Sequence, residues 1–344
     1  MARAKQSESV TQKLIASIHK QWGLESCMTL GGGECRSDVR VVIPSGIEVV
    51  DGYVLGIGGW PGGRMVEIFS EESGGKTTLG LSAIAQVQKM GGAAAFIDAE
   101  HALDTRRAAA LGVDLDNTVL SQPDTLEEML GQVETILDTV PPEMPGIIVW
   151  DSVAAMMTAQ EWEAGASGDA GRMLQVPAML SNRLRAIMAK LTRTRVCLLA
   201  INQIRSQPGP SFGKTNTPGG NALKFYASMR VQILGGAKVK SKGDAGDILG
   251  KDIIVECVKN KLAQPFNKCR ARLLFDTGWD NAWSTIGLAK DMEIVPENLR
   301  GKDARRVALE ALNKLPKFGT LRKPALPEPA VVADVKAEPE AEGA

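Results

Sequence analysis

Apolar positions first recur at helical spacing near the amino end. Val10, Leu14, Ile15, Ile18 and Trp22 line one face of a predicted helix from Val10 to Trp22. Ser9, with Gln12 three residues on, has the form of a capping box. The stripe needs a partner, either in its own domain or on a neighbouring subunit. A Gly-rich connection around Gly31 to Gly33 follows, then a short apolar piece from Val41 to Ile43. From Arg64 the period changes, and short apolar runs alternate with amphipathic stretches. Strands are predicted over Arg64–Phe69, Ala93–Asp98, Gly146–Trp150 and Val196–Ile201. Helices are predicted over Lys76–Met90, Ala102–Leu111, Leu126–Leu137 and Met173–Leu191, the last interrupted near Pro177. This rhythm predicts an α/β fold, a mostly parallel central sheet with helices on both faces. Ligands then belong at the carboxyl ends of the strands. Three further strands, Met229–Leu234, Ile253–Val258 and Ala271–Phe275, have no helices between them and predict a hairpin-like extension. Beyond Trp279 the pattern is that of a small helical region, clearest over Ala304–Leu312. The run from Leu315 is Pro-, Ala- and acid-rich, cannot bury much, and reads as a disordered tail. The expected divisions are 1–45 (helix and linker strand), 46–278 (core), 279–314 (small helical region) and 315–344 (tail).

The most specific chemistry lies between the first core strand and its helix, in the stretch IFSEESGGKTT, residues 68–78. It approaches the phosphate-binding pattern G-x-x-x-x-G-K-[ST], in which backbone N–H groups and a helix N-terminus converge on phosphates. Ser70, Glu71, Glu72, Ser73, Gly74, Gly75, Lys76, Thr77 and Thr78 form this loop. Lys76 is expected to reach the β- and γ-phosphates of ATP, and Thr77 to ligate Mg²⁺. Ser70 stands where the pattern has its first glycine. If that position needs a left-handed backbone, serine costs about 1–2 kcal/mol; if not, it costs nothing. Glu71 and Glu72 belong on the outer bend, facing away from an anionic ligand. Asp151 ends the strand GIIVW, suited to a Mg²⁺–water network or, more plainly, to capping a helix. Glu100, just past the strand AAAFID, could orient a water toward the γ-phosphate or merely open the next helix. A small-molecule kinase has no need of such a base, so Glu100 favours an ATPase.

Composition narrows the setting. With 40 basic and 40 acidic residues the net charge is zero, so any binding to nucleic acid must come from local patches. Five scattered cysteines suggest reduced thiols and a cytoplasmic location, and two histidines make a His-based zinc site untenable. No apolar run reaches membrane-spanning length, and no signal-peptide pattern opens the chain.

Further motifs, FIDAEHALD, SQPDT, WDSVAA, INQIR, GGNALKFYAS and VKNK, occur in this order and spacing. Together with the phosphate loop they resemble the bacterial RecA recombinase family from the N-terminal helix through Phe275. The resemblance implies an ATP-dependent helical filament of the protein with itself on single-stranded DNA, pairing that strand with homologous double-stranded DNA. It implies that Lys76, Thr77 and Asp151 hold ATP and Mg²⁺, that Glu100 is the catalytic glutamate, and that Asp104 reads the adenine. Gln203 resembles the residue sensing the γ-phosphate. Lys259 and Lys261 resemble a pair reaching the neighbour's ATP, and residues i and i+2 of a strand do face one way. Residues 161–172 and 204–220, Gly-rich and polar, resemble the family's two DNA-lining loops. Ser181, Arg185, Arg205, Gly219, Gly220 and Asn221 are the DNA-binding candidates, contacting the backbone and so largely blind to sequence. An SOS repressor is a further partner the resemblance suggests. The chain departs from the family at Ser70 and Glu71 (for Gly-Pro), at Arg107 (for a tyrosine against the adenine), at Ala178 (for a basic residue) and in its shorter region after Trp279. The acidic tail residues Glu328, Asp334, Glu338, Glu340 and Glu342 would compete with DNA or simply keep the chain soluble. Alternatives left open are a slowly hydrolysing paralogue acting as a nucleotide-gated DNA scaffold, a ring-forming motor and a P-loop kinase.

Overall fold

The computed structural model describes residues 9–24, 26–31, 38–164, 175–206, 215–241 and 246–315. The expected tail beyond Leu315, residues 165–172 of the first expected DNA loop and residues 207–214 of the second lie outside them. The chain divides into two units, Met1–Asp38 and Val39–Ala344.

The first unit carries helix α1 (Val10–Trp22). Its capping box is formed: Ser9 N–H donates to Gln12 Oε1 at 2.9 Å, and Gln12 N–H to Ser9 Oγ at 3.2 Å. Such a cap contributes about 1 kcal/mol. Val10, Leu14, Ile18 and Trp22 are exposed along its length.

The second unit opens with a two-stranded ribbon, β1 (Val42–Ile43) and β2 (Trp60–Pro61). The alternating core comprises β3 (Met65–Ser70), α2 (Lys76–Lys89), β4 (Ala93–Asp98), α3 (Thr105–Ala110), β5 (Val119–Ser121), α4 (Leu126–Thr139), β6 (Pro145–Asp151), α5 (Ala159–Ala164), α6 (Gln175–Leu191) and β7 (Arg195–Gln203). A short ribbon, β8 (Arg205–Ser206) with β9 (Thr215–Asn216), precedes α7 (Ala222–Tyr226). Then come β10 (Met229–Lys240), β11 (Ile248–Asn260), β12 (Lys268–Leu274), β13 (Gly278–Trp279), α8 (Asn281–Asp291) and α9 (Ala304–Leu312).

One nine-stranded sheet runs β13-β12-β11-β10-β3-β7-β6-β4-β5. From β10 to β5 every pairing is parallel; β10 through β13 pair antiparallel. Alternation sorts the parallel strands onto two cores. Val66, Ile68, Ile147, Val149, Leu199 and Ile201 pack on the face carrying α2, whereas Met65, Ile148, Trp150, Leu198 and Ala200 pack on the face carrying α4 and α6. Strands buried on both faces cannot host unpaired polar side chains midway, so polar groups collect mainly where the strands end.

Three expectations change. Pro177 does not interrupt α6, which runs unbroken from Gln175; the proline sits in the first described turn, where its missing N–H costs no helical bond. The helix expected from Ala102 begins only at Thr105, because the Asp98 carboxylate takes the N–H groups of Ala102 and Leu103 and holds them in a turn. The hairpin strands β10 and β11 extend well past their apolar halves, and β11 carries a bulge. Val231 pairs with Cys257 and Arg230 with Lys259, leaving Val258 unpaired. No helix among the described residues is long and apolar enough to cross a membrane.

A π-helical turn over Val50–Val54 buries Asp51, whose Oδ1 accepts the Ser45 N–H at 2.9 Å. Burial pushes this carboxyl up to about 8 from an ordinary 3.8. Between those values the folded chain holds a proton that the unfolded chain releases, so this group stabilises the fold in acid and loses that contribution as pH rises through 8. Asp51→Asn keeps an oxygen for Ser45. Urea unfolding from pH 4 to 8 should show the variant gaining on the natural chain by up to about 1.4 kcal/mol per pH unit; parallel curves would place the proton elsewhere.

Candidate nucleotide site

The strand ends form a row. In register, Ser70 of β3 lies beside Gln203 of β7, and Asp98 of β4 beside Asp151 of β6. The phosphate loop leaves β3 at Ser70 and enters α2 at Lys76. Ser70 is strand-like and buried, outside the left-handed region. The left-handed residues of the loop are Ser73 (φ 55°) and Gly75 (φ 99°), so serine at position 70 carries no backbone penalty. Its side chain fills the space over Gly74 instead, where an added Cβ would lie 2.1 Å from Ser70 Oγ. Ser70 and Gly74 are thus a steric pair. Glu71 and Glu72 are exposed on the outer bend.

The Lys76 ammonium is buried and donates to Ser70 Oγ at 3.0 Å and to the Glu71 carbonyl at 2.9 Å. Burial holds it below the usual lysine range, against the opposing pull of Asp151 and Glu100. Thr77 Oγ1 donates to Asp151 Oδ2 at 2.5 Å. Burial pushes Asp151 up to about 6, partly countered by the Thr77 hydroxyl. A hydroxyl and a carboxylate meeting at the opening of α2 are hard oxygen donors, the kind Mg²⁺ takes together with phosphate oxygens. The two residues therefore fit that ion.

Glu100 follows β4 on the turn that Asp98 holds. Its Oε1 accepts two hydrogen bonds, from Ser152 Oγ at 2.5 Å and from Gln203 Nε2 at 3.0 Å. Asn202, beside Gln203, donates through Nδ2 to Glu67 Oε1 at 3.1 Å and to the Pro218 carbonyl at 3.0 Å. Glu67 in turn pairs with Arg230 at 2.5 Å. Lys76, Thr77, Asp151, Glu100 and Gln203 therefore meet at one site, as their positions at strand ends imply. Ser152, Asn202 and Glu67 were not singled out by sequence, though the first two adjoin residues that were.

Asp104 is exposed and caps α3, accepting the N–H groups of Arg106 at 2.9 Å and Arg107 at 3.4 Å. Arg107 Nη2 donates to Thr78 Oγ1 at 3.1 Å. The cleft of about 380 Å³ over the loop is walled by Arg107, Lys251, Leu273 and Phe275.

The remaining candidates lie elsewhere. Gly219 packs under Leu180 and Gly220 against Pro177, bringing the end of the second expected DNA loop to the first turns of α6. Ser181 and Arg185 are exposed one turn apart on that helix, with Ser181 Oγ donating to the Pro177 carbonyl. Asn221 precedes α7. The backbone of Arg205 lies in β8. Lys259 and Lys261 converge on the carboxyl end of α7: both ammonium groups donate to the Phe225 carbonyl at 3.3 Å, and Lys259 also to the Lys224 carbonyl at 2.5 Å. Among the described residues neither bonds to the phosphate loop of its own chain.

A family model described as the RecA N-terminal domain matches residues 9–280. The chain belongs to the RecA family. Protein RecA of Francisella philomiragia is 44% identical over 292 residues, covering 85% of this chain and 78% of that one. Protein RecA of Francisella tularensis subsp. novicida is 42% identical, with 85% and 79% covered. Among solved structures, the RadB recombinase superposes with a TM-score of 0.50 over 69% of this chain and 98% of its own, at 18% identity, a likeness of fold.

Gly74→Ala should therefore cost stability, and adding Ser70→Gly should recover most of it. Denaturant unfolding of the natural chain, both single variants and the double variant is expected to give a coupling of about 1–2 kcal/mol. Simple additivity would separate the two positions.

Proposed function

We propose that this RecA-family chain is an ATP-dependent DNA recombination and repair protein of the cytoplasm. It assembles as a filament on single-stranded DNA, hydrolyses ATP in response to that DNA, and pairs the strand with homologous double-stranded DNA. An SOS repressor is a further partner of the filament. The observation that carries this reading is the hydrogen bond from Gln203 to Glu100. Gln203 is the last residue of β7, where the second expected DNA loop begins, and Asn202 beside it holds the Pro218 carbonyl at that loop's far end. One end of that loop is thus bonded to the carboxylate best placed to orient a water, and the other end to the adjoining Asn202.

Lys76, Thr77 and Asp151 would hold ATP and Mg²⁺. The Mg²⁺ ion, when bound, supplies charge neutralisation between phosphate oxygens. The backbone N–H groups at the start of α2 would donate to phosphate oxygens. Glu100 takes a proton from, or orients, the attacking water. Gln203 reports the state of that site to the loop, and Lys259 and Lys261 serve the neighbouring subunit's site. Ser181, Arg185, Arg205, Gly219, Gly220 and Asn221 follow the DNA backbone. Among the described residues, two apolar surfaces support self-association. One is the exposed apolar stripe of α1. The other is an apolar cleft of about 180 Å³ beside the edge strand β5, lined by Ala95, Val119, Ile136 and Ile148. A second copy's α1 has the chemistry to fill it.

The Lys76–Ser70 bond favours one rival, a slowly hydrolysing scaffold, because the Ser70 hydroxyl competes with phosphate for the lysine. ATP hydrolysis with and without single-stranded DNA separates the two. Strong stimulation that disappears in Lys76→Ala is expected for a recombinase. Glu100→Gln should keep nucleotide and DNA binding while lowering turnover about 10²- to 10⁴-fold. Bound ATP with flat turnover would favour the scaffold. Leu14→Asp with Ile18→Asp should abolish DNA-bound filaments in electron micrographs while leaving nucleotide binding intact; filaments that persist would remove α1 from assembly.

A further inference from the structure

Three cations surround the phosphate loop, and two of them are not part of the phosphate-binding pattern. Lys251 lies on β11 opposite Leu273 of β12. The neighbouring Gly250 lets these strands close tightly, since an added Cβ there would lie 2.2 Å from the Leu273 carbonyl. The Lys251 side chain crosses to the loop and donates to the Ser73 carbonyl. Arg107 reaches Thr78 Oγ1 from the opposite side, and Lys76 rests on Ser70 Oγ and the Glu71 carbonyl. Each cation thus rests on a neutral oxygen of the same loop. Among the described residues none of the three is paired with a carboxylate. Burial first, then the Arg107 guanidinium, holds the Lys251 ammonium below the ordinary lysine range. Lys251 also works against the charge on Lys76. Like charges gathered in one cleft, beside the opening of a helix, are relieved by an anion between them. The same cleft has an apolar wall in Leu273 and Phe275 that suits a flat ring.

We propose that Lys251 is a further nucleotide-binding residue, supplied by the β10–β11 hairpin of the same chain and acting with Arg107 on the phosphates of the nucleotide that Lys76 holds. This rests on the phosphate loop holding a nucleotide. Binding exchanges the Ser73 carbonyl for a phosphate oxygen as the partner of Lys251. Affinity then comes more from phosphate than from base, and it falls steeply with salt. A nucleoside diphosphate is held firmly, because the added cations act whether or not the γ-phosphate is present.

The test is titration of the full chain with a fluorescent ADP analogue at low and high salt, each variant's thermal midpoint being recorded beside it. Lys251→Gln is expected to weaken binding about tenfold at low salt and to flatten the salt dependence, with little change in midpoint. Lys251→Arg should stay within about twofold of the natural chain, because it restores the charge. The proposal is overturned if Lys76→Ala weakens binding while Lys251→Gln binds like the natural chain. It is also overturned if Lys251→Gln lowers the midpoint and Lys251→Arg fails to restore affinity, which would make Lys251 a brace for the loop. A natural chain that binds no ADP would remove the phosphate-loop reading itself, and this proposal with it.

Discussion

The site depends on one constraint: the central strands are buried on both faces. Desolvating a carboxylate or an amide inside such a sheet without partners is costly, so the polar side chains of β3, β7, β6 and β4 appear where the apolar runs stop. In-register pairing then aligns those stops. Ser70 falls beside Gln203 and Asp151 beside Asp98 because the strands leave the core together. The exception lies within the sheet, where Glu67 is fully buried. It is paired with Arg230 and bonded by Asn202, so its charge is compensated. That compensation also connects the hairpin to the strand that carries Gln203.

The same constraint explains what the sequence made legible. Strands covered on both sides read as unbroken apolar runs, and GIIVW and VCLLAI could hardly be anything else. The phosphate loop was legible because its glycines and lysine are spaced by chemistry. The hairpin was legible only in part. Beyond Ile233, β10 is largely exposed, and Gly235 and Gly236 carry no pattern that marks a strand. Helix α8 went unnamed because its apolar positions are interrupted by Ser284, Thr285 and Gly287, although the first two are buried. Lys251 left no signal at all: a lysine on a half-exposed strand looks like any solvated lysine until the loop opposite is in place.

Position 70 shows how a motif can change without losing its geometry. The pattern asks for glycine there, but the backbone at Ser70 is ordinary strand, and the special conformations fall at Ser73 and Gly75. What the first glycine leaves is room. Here Ser70 takes that room, and Gly74 gives up its side chain to allow it. The hydroxyl gained in this exchange holds the Lys76 ammonium when no phosphate is there to do so. Local conformation was thus preserved while the resting electrostatics of the loop were changed.

The bulge at Val258 has a consequence for evolution and engineering alike. Ile253, Val255 and Cys257 alternate into the core, and unbroken alternation would send the next such position, Lys259, in after them. The unpaired Val258 turns the chain by one place, so that Lys259 emerges on the side of Arg230 and α7. Drawing Val258 into the ladder of a straightened strand would therefore bury a charge, whereas many single replacements along the strand would be absorbed. The reading frame of β11, more than its composition, is what a functional descendant of this chain must keep.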